Sequence, residues 1–501
     1  MNKIKVFLTQ NINILLGISF VYLFYLNIIT PLWGNELLAI GSLMQAEYLA
    51  TFPKTIIEAL CLRGYTYKIL LYGFMNITDV FVDRSDFYTY QQVVKIIYYL
   101  FCFLITFVFI RVSISEKSTK QIITTFLTLW VIMFLSNYRQ FMEAEELAVV
   151  FAVGHFLFII SNKPRLNYLS GIFLFLLFGC KTVTILYSGF GLLYLLIFEF
   201  QNRVKLTRVI LSHLVFTLLS VGVYYFFLLG EIQALKIVMM YQGSLAFHGM
   251  EPLVKFFYSF AKFIPFFPML IFIPIISILT FTIDKRNKIL IFLFIAISAA
   301  VVILQNRFSS PYHYVSFLII ILYFIFSING PKRFWLYLSL FPVLVYVIFQ
   351  NHNHTKYLEY PSNVTYSKYF ETQATNYTKV NLILEKNSAK DILFLTGDCP
   401  TFFIPTKSAL VKNTAMILNR GMVRPGVPEL DEYKSYYNEV LSHKGEFVLL
   451  DSIYLPLTTF PDIKSKLELE YEKVFRFNNT LDPKYVSYGE DNLILYKRLK
   501  D

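Results

Sequence analysis

Residues 12–29 read INILLGISFVYLFYLNII, a run without a single charge. As a helix, such a run is long enough to cross most of the roughly 30 Å hydrocarbon core of a bilayer. Lys3 and Lys5 precede it, as basic residues precede the apolar part of a signal peptide. No small-residue cleavage site follows, because the chain continues Thr30-Pro31-Leu32-Trp33, so the run reads as a retained helix. Working outward, further apolar runs lie near 93–112, 121–136, 148–161, 168–181, 183–199, 209–229, 264–283, 289–305, 314–329 and 334–350. The expectation is a polytopic α-helical membrane protein of about eleven transmembrane helices, with Lys181 interrupting the pair that runs from 168 to 199. Composition agrees. The chain has 501 residues, of which 56% are hydrophobic, 18% aromatic and only 16% charged. A soluble domain carries about 25% charged residues. Too few polar residues remain here to cover soluble cores. Disordered and collagen-like classes are excluded.

The charges give an orientation. With a cytoplasmic N-terminus, alternate loops hold Lys3 and Lys5; Arg111, Lys117 and Lys120; Lys163 and Arg165; Arg203, Lys205 and Arg208; Lys285, Arg286 and Lys288; and Lys332 and Arg333. These cytoplasmic segments carry roughly 15 basic residues against about 3 acidic ones, a positive-inside pattern. The difference accounts for the formal net charge of +12. The excess is therefore a topology signal and not a nucleic-acid surface. An odd number of spans places everything after Asn351 outside the cell.

That tail, residues 351–501, differs from the membrane part at 1–350 in its short apolar runs and frequent charges. Residues 391–397 read as a buried strand, 429–443 as a helix, 446–451 as a second strand, and 471–477 and 492–496 as closing strands. A small soluble α/β domain is expected, with neither a phosphate-binding loop nor a nucleophile elbow. The cysteines Cys61, Cys102, Cys180 and Cys399 have no metal-site or paired spacing and read as stray thiols. The sequons at Asn353, Asn363, Asn376 and Asn478 read as incidental.

Candidate functional residues gather on the outer side of this topology. Residues 31–92 form a long outer loop containing amphipathic stretches at 36–52 and 54–74, suited to lie along the interface. It opens with Pro31-Leu32-Trp33-Gly34-Asn35-Glu36, an acid hard against a helix end, and contains Arg63 and Lys68, which could grip a phosphate. Residues 139–146, RQFMEAEE, set Glu143, Glu145 and Glu146 beside Arg139. Carboxylates so grouped can tune a general base or hold a metal. Lys181 is an intramembrane cation, costly to bury without a role. Residues 305–314, QNRFSSPYHY, join Arg307 with Tyr312, His313 and Tyr314. His248 and His155 are weaker candidates, since a lone histidine is more often structural. Carboxylates, cations and aromatics on one face suit a lipid-phosphate substrate better than a neutral solute, whose transporter would bind near the midplane.

In this layout the chain resembles the GT-C superfamily of membrane glycosyltransferases, which includes protein O-mannosyltransferases and the lipid A aminoarabinose transferase. The resemblance rests on Trp33-Gly34-Asn35-Glu36 after the first helix, the interface stretch ending at Lys68, the acidic motif Glu143-Ala144-Glu145-Glu146, the Gly179-Cys180-Lys181-Thr182 element, and the late Arg307–Tyr314 cluster. It implies a polyprenyl-phosphate-linked sugar as donor and a glycan, lipid or protein acceptor, at the outer face of a bacterial cytoplasmic membrane. It implies Glu36 as the base or acceptor-binding acid, with Glu143 or Glu145 assisting. It also implies Arg63, Lys68, Lys181 and Arg307 as phosphate-binding cations, and Tyr312, His313 and His248 as substrate contacts. The family often has Asp-Glu in its first motif, and here the Asp position is Asn35. Members differ in whether a divalent metal takes part. A flippase for lipid-linked sugars, a glycan polymerase, and a non-catalytic membrane protein with a binding tail are the alternative readings.

Overall fold

The computed structural model describes residues 2–29, 65–83, 87–114, 118–136, 142, 144–228, 284–305, 319–320, 323, 375–376, 378–389, 392–395, 411–414, 445–451, 457, 460–477 and 493–499. The N-terminal part is helical: α1 (Asn2–Ile29), α2 (Tyr65–Thr78), α3 (Phe87–Ser113), α4 (Thr119–Ser136), α5 (Ala144–Ile160), α6 (Pro164–Leu169), α7 (Ile172–Cys180), a 3-10 helix (Thr182–Tyr187), α8 (Ser188–Phe198), α9 (Arg203–Leu228) and α10 (Lys285–Gln305). Among the described residues three helices are long and apolar enough to cross a membrane, over Asn11–Ile28, Thr89–Ser113 and Arg203–Gly222. Their outward faces are apolar too. On α1, Ile14, Ile18, Val21 and Tyr25 are exposed at helical spacing, and on α9 Ile210, Leu214, Leu218 and Val221 are. Apolar surface of that extent is unusual on a soluble monomer and is what a bilayer contacts.

α5 is the axis of the bundle. Every residue from Ala144 to Ile159 is buried, as expected of a helix that is apolar all round. It packs against α3, α7 and α8, while α1 packs against α4, and α2 against α3 and α7. Gly154 allows the close approach: a Cβ there would stand 2.6 Å from the Phe173 ring and 2.7 Å from the Phe109 ring. Between α1, α3 and α4 the fill is aromatic. Phe20, Phe24, Phe103, Trp130 and Phe134 interlock, with the Phe103 and Trp130 rings edge-on at 4.6 Å.

The segment read as two spans at 168–181 and 183–199 is built differently. α7 has 9 residues and α8 has 11. With α6 the first apolar stretch runs Pro164–Cys180, and with most of the 3-10 helix the second runs Val183–Phe198, both somewhat shorter than the three long helices. Between them Lys181 is extended, at φ −165° and ψ 138°. The Thr184 hydroxyl donates to the carbonyls of Leu177 (2.6 Å) and Lys181 (2.7 Å), so the interruption leaves these acceptors satisfied.

The C-terminal part has its own core. β1 (Ile392–Leu395), β2 (Val411–Thr414), β3 (Phe447–Asp451), β4 (Tyr471–Arg476) and β5 (Leu493–Arg498) form one sheet in the order β2-β1-β3-β5-β4. β1 runs parallel to β2 and β3, and β5 antiparallel to β3 and β4. The helix α11 (Pro461–Glu470) leads into β4. Val380, Leu384, Ile392, Phe447, Leu449, Leu493 and Leu495 fill the core. Four strands fall where the short apolar runs predicted them. β2 and α11 were not anticipated, and the helix expected at 429–443 lies outside the described residues. Asn376 is buried, in keeping with an incidental sequon.

Candidate functional site

Glu145, Glu146, Lys181, Tyr99 and Lys95 gather near one end of the bundle, where α1 and α7 finish and α2 and α5 begin. The first turn of α5 carries two adjacent carboxylates, Glu145 and Glu146, both buried. Carboxylates suit this position because the helix dipole is positive there. They point to different partners. Glu145 forms an ion pair with Lys181, whose side chain keeps 34% of its accessibility while Glu145 keeps none. The extended backbone at Lys181 lets its side chain leave the helical path and reach across 36 positions of sequence. Glu146 accepts hydrogen bonds from the Tyr99 hydroxyl (3.0 and 3.2 Å) and from the Met142 N–H (2.9 Å). The Tyr67 hydroxyl donates to the Met142 carbonyl at 2.6 Å.

One turn before Tyr99 on α3, Lys95 is fully buried. Its ammonium donates to the carbonyls of Asn27 (2.7 Å) and Ile28 (2.9 Å) in the last turn of α1. A cation there complements the negative end of the helix dipole and fills acceptors that the helix cannot satisfy itself. Lys95 was missed in the sequence because it stands in an apolar run. The signal was present: the rule that an intramembrane cation needs a partner applies to it as much as to Lys181.

Of the residues singled out from sequence, the structure brings Glu145 and Lys181 together, with Glu146 in the same turn as Glu145. Lys68 lies in α2, whose Tyr67 reaches Met142 beside them. Glu36, Arg63, Glu143, His248, Arg307, Tyr312 and His313 lie outside the described residues, as do Cys61 and Cys399. Cys102 and Cys180 are free and buried thiols. His155 is elsewhere, deep on α5 toward its other end, with its Nε2 2.9 Å from Nε2 of His213 on α9. His213 Nδ1–H donates to the Val209 carbonyl at 2.7 Å. The neutral His213 ring therefore accepts at Nε2, and His155 donates.

Both carboxylates already have donors. Glu145 faces an ammonium, and Glu146 faces a hydroxyl and an amide donor. Among the described residues no three His, Cys, Asp or Glu side chains gather as a metal site. A partly exposed ammonium backed by a buried carboxylate can hold an incoming anion, because the carboxylate keeps it aimed. No family model, curated protein or solved structure matches this chain.

Proposed function

We propose that the chain is a GT-C type glycosyltransferase that moves a sugar from a polyprenyl-phosphate carrier to an acceptor at the outer face of a cytoplasmic membrane. The single observation that carries the reading is the Glu145–Lys181 ion pair at the carboxylate end of the bundle. Two elements quoted separately from the sequence, the acidic motif and the Gly-x-Lys element, meet there. In this reading about eleven helices span the bilayer. The basic loops face the cytoplasm, and residues 351–501 form an α/β domain outside.

The roles follow from charge. Lys181, held by Glu145, contacts a phosphate oxygen of the donor lipid and stabilises the charge that grows on the leaving phosphate. Arg63, Lys68 and Arg307 are the further cations of this clamp, and Tyr312, His313 and His248 line the sugar and acceptor. Glu36 takes the proton of the acceptor hydroxyl as it attacks the anomeric carbon. The bond from that carbon to the phosphate oxygen breaks, and the electron pair leaves with the polyprenyl phosphate. Glu143 stands beside the same pair in sequence and assists.

Reconstitution in liposomes with a polyprenyl-phosphate sugar tests this. The wild type forms a new glycosidic bond and Glu36→Gln does not. Full transfer by Glu36→Gln removes Glu36 as the base. Movement of the lipid across the bilayer without a new bond would favour a flippase. A reporter fused after Asn351 is active outside; activity in the cytoplasm contradicts the topology.

A further inference from the structure

Two glutamates stand side by side at the head of α5, and successive helix positions point about 100° apart. Glu145 meets Lys181, whose side chain is one-third exposed. Glu146 turns into the bundle, where both its oxygens lie within 3.2 Å of the Tyr99 hydroxyl. Oε2 also accepts from the backbone N–H of Met142, four residues back and just before the helix. Met142 has φ +64°, a left-handed conformation that a non-glycine residue adopts at a cost. Something must hold it there, and three groups do: Glu146 and Tyr99 at its N–H, at 2.9 and 3.3 Å, and Tyr67 at its carbonyl. The holders come from α2, α3 and α5, so the clamp fixes where α5 starts relative to two neighbouring helices. The start of α5 sets the height of Glu145 opposite Lys181.

We propose that Glu146, acting with Tyr99 and Tyr67 through the left-handed Met142, is a positioning residue. It sets the register of the first turn of α5 and thereby holds Glu145 against Lys181. Adjacent carboxylates of the same acidic motif then have separate work: Glu145 holds the phosphate-binding ammonium in place, and Glu146 touches no substrate. The assignment of that work to transfer rests on the glycosyltransferase reading; the positioning itself does not.

The test uses the full-length protein and two readouts. Amine-directed acylation of Lys181, followed by mass spectrometry, reports the ion pair without reference to activity. Glu145→Gln gives the reference rate without this ion pair. Lys163 at the opposite end of the bundle, whose ammonium donates to the Val112 carbonyl, serves as internal control. Glu146→Gln and the gentler Tyr99→Phe should both speed acylation of Lys181 toward that reference and leave Lys163 unchanged. Sugar transfer should fall by about 10- to 100-fold, the range expected when a charged group is misplaced by about 1 Å. Adding Met142→Gly should restore slow acylation and most of the transfer, because glycine adopts the left-handed conformation freely. Acylation of Lys181 at the wild-type rate in Glu146→Gln overturns the proposal. So does a loss of transfer that Met142→Gly cannot recover, which would make Glu146 a reacting group. If the wild type forms no glycosidic bond while Lys181 acylation still follows Glu146, the positioning role stands and the transfer reading falls.

Discussion

The two ends of α5 are both polar insertions in a buried apolar helix, and they are built in opposite ways. At the head, Glu145 meets Lys181 and Glu146 meets Tyr99 of α3 and the Met142 N–H, which Tyr67 of α2 also holds at its carbonyl, and the contacts open to solvent through Lys181. Toward the other end, His155 meets one partner, His213, and is sealed by Gly191 and Phe173. A Cβ on Gly191 would come 3.0 Å from its Nδ1. A charge pair with one exposed partner can exchange that partner for a ligand. The imidazole pair, of which His155 is buried and His213 half-buried, joins α5 to α9. The difference separates a site from a strut, although both look alike as ionisable residues in apolar runs.

The largest expected effect is at the open end. Lys181→Met leaves the buried Glu145 without its cation and should cost about 3 kcal/mol in a thermal or denaturant unfolding assay. That is the low end for a buried pair, because part of Lys181 is exposed. Transfer should fall by at least about 100-fold, as when one electrostatic stabiliser is removed. The double variant Glu145→Gln with Lys181→Gln should regain most of the stability and none of the transfer. Equal recovery of both would reduce the head of α5 to a strut as well.

Lys95→Met comes next. It keeps the volume and removes both donors to the last turn of α1, so stability should drop by about 1–3 kcal/mol. Transfer should fall with it, since the chain that leaves α1 there leads directly to Glu36. Unchanged transfer in a destabilised variant would detach α1 from the site.

At the sealed end, the expected losses are of stability alone. Gly171 lies against Ser212, next to His213, and a Cβ there would stand 2.3 Å from the Ser212 carbonyl oxygen. Gly171→Ala should therefore cost about 1–3 kcal/mol by overpacking. His213→Ala should cost about 1 kcal/mol through the lost hydrogen bond. Both should leave transfer intact once the temperature is lowered to compensate. A selective loss of transfer in His213→Ala would erase the contrast between the ends.

Much of the helical layout was legible in the sequence, and the discrepancies share a cause. Apolar runs at 121–136 and 289–305 coincide closely with α4 and α10. α3 begins at Phe87, six residues before the run that announced it. Gln91 and Gln92 lower the hydropathy there, and Gln91, like Lys95 within the run, is buried inside the bundle. Hydropathy assumes that a polar side chain seeks water, whereas Lys95 finds its partners at the end of α1. The pairing of Glu145 with Lys181 was not legible either. The residues stand 36 positions apart, and only the break after Cys180 turns the ammonium back toward α5. The pair read at 168–199 is divided at the extended Lys181, with apolar helix over Pro164–Cys180 before it and Val183–Phe198 after it. In the tail, Val411–Thr414 is short and carries no alternation to read, so β2 emerges only from its pairing with β1.

The central claim is that Lys181 holds the phosphate of a polyprenyl carrier during sugar transfer. Release of free polyprenyl phosphate from a polyprenyl-phosphate sugar, measured in liposomes with wild type and Lys181→Met at equal folded concentration, tests it most directly. The account predicts steady release and sugar transfer by the wild type, and release lower by at least about 100-fold in Lys181→Met. Equal release by the two proteins, or none by the wild type, would contradict it.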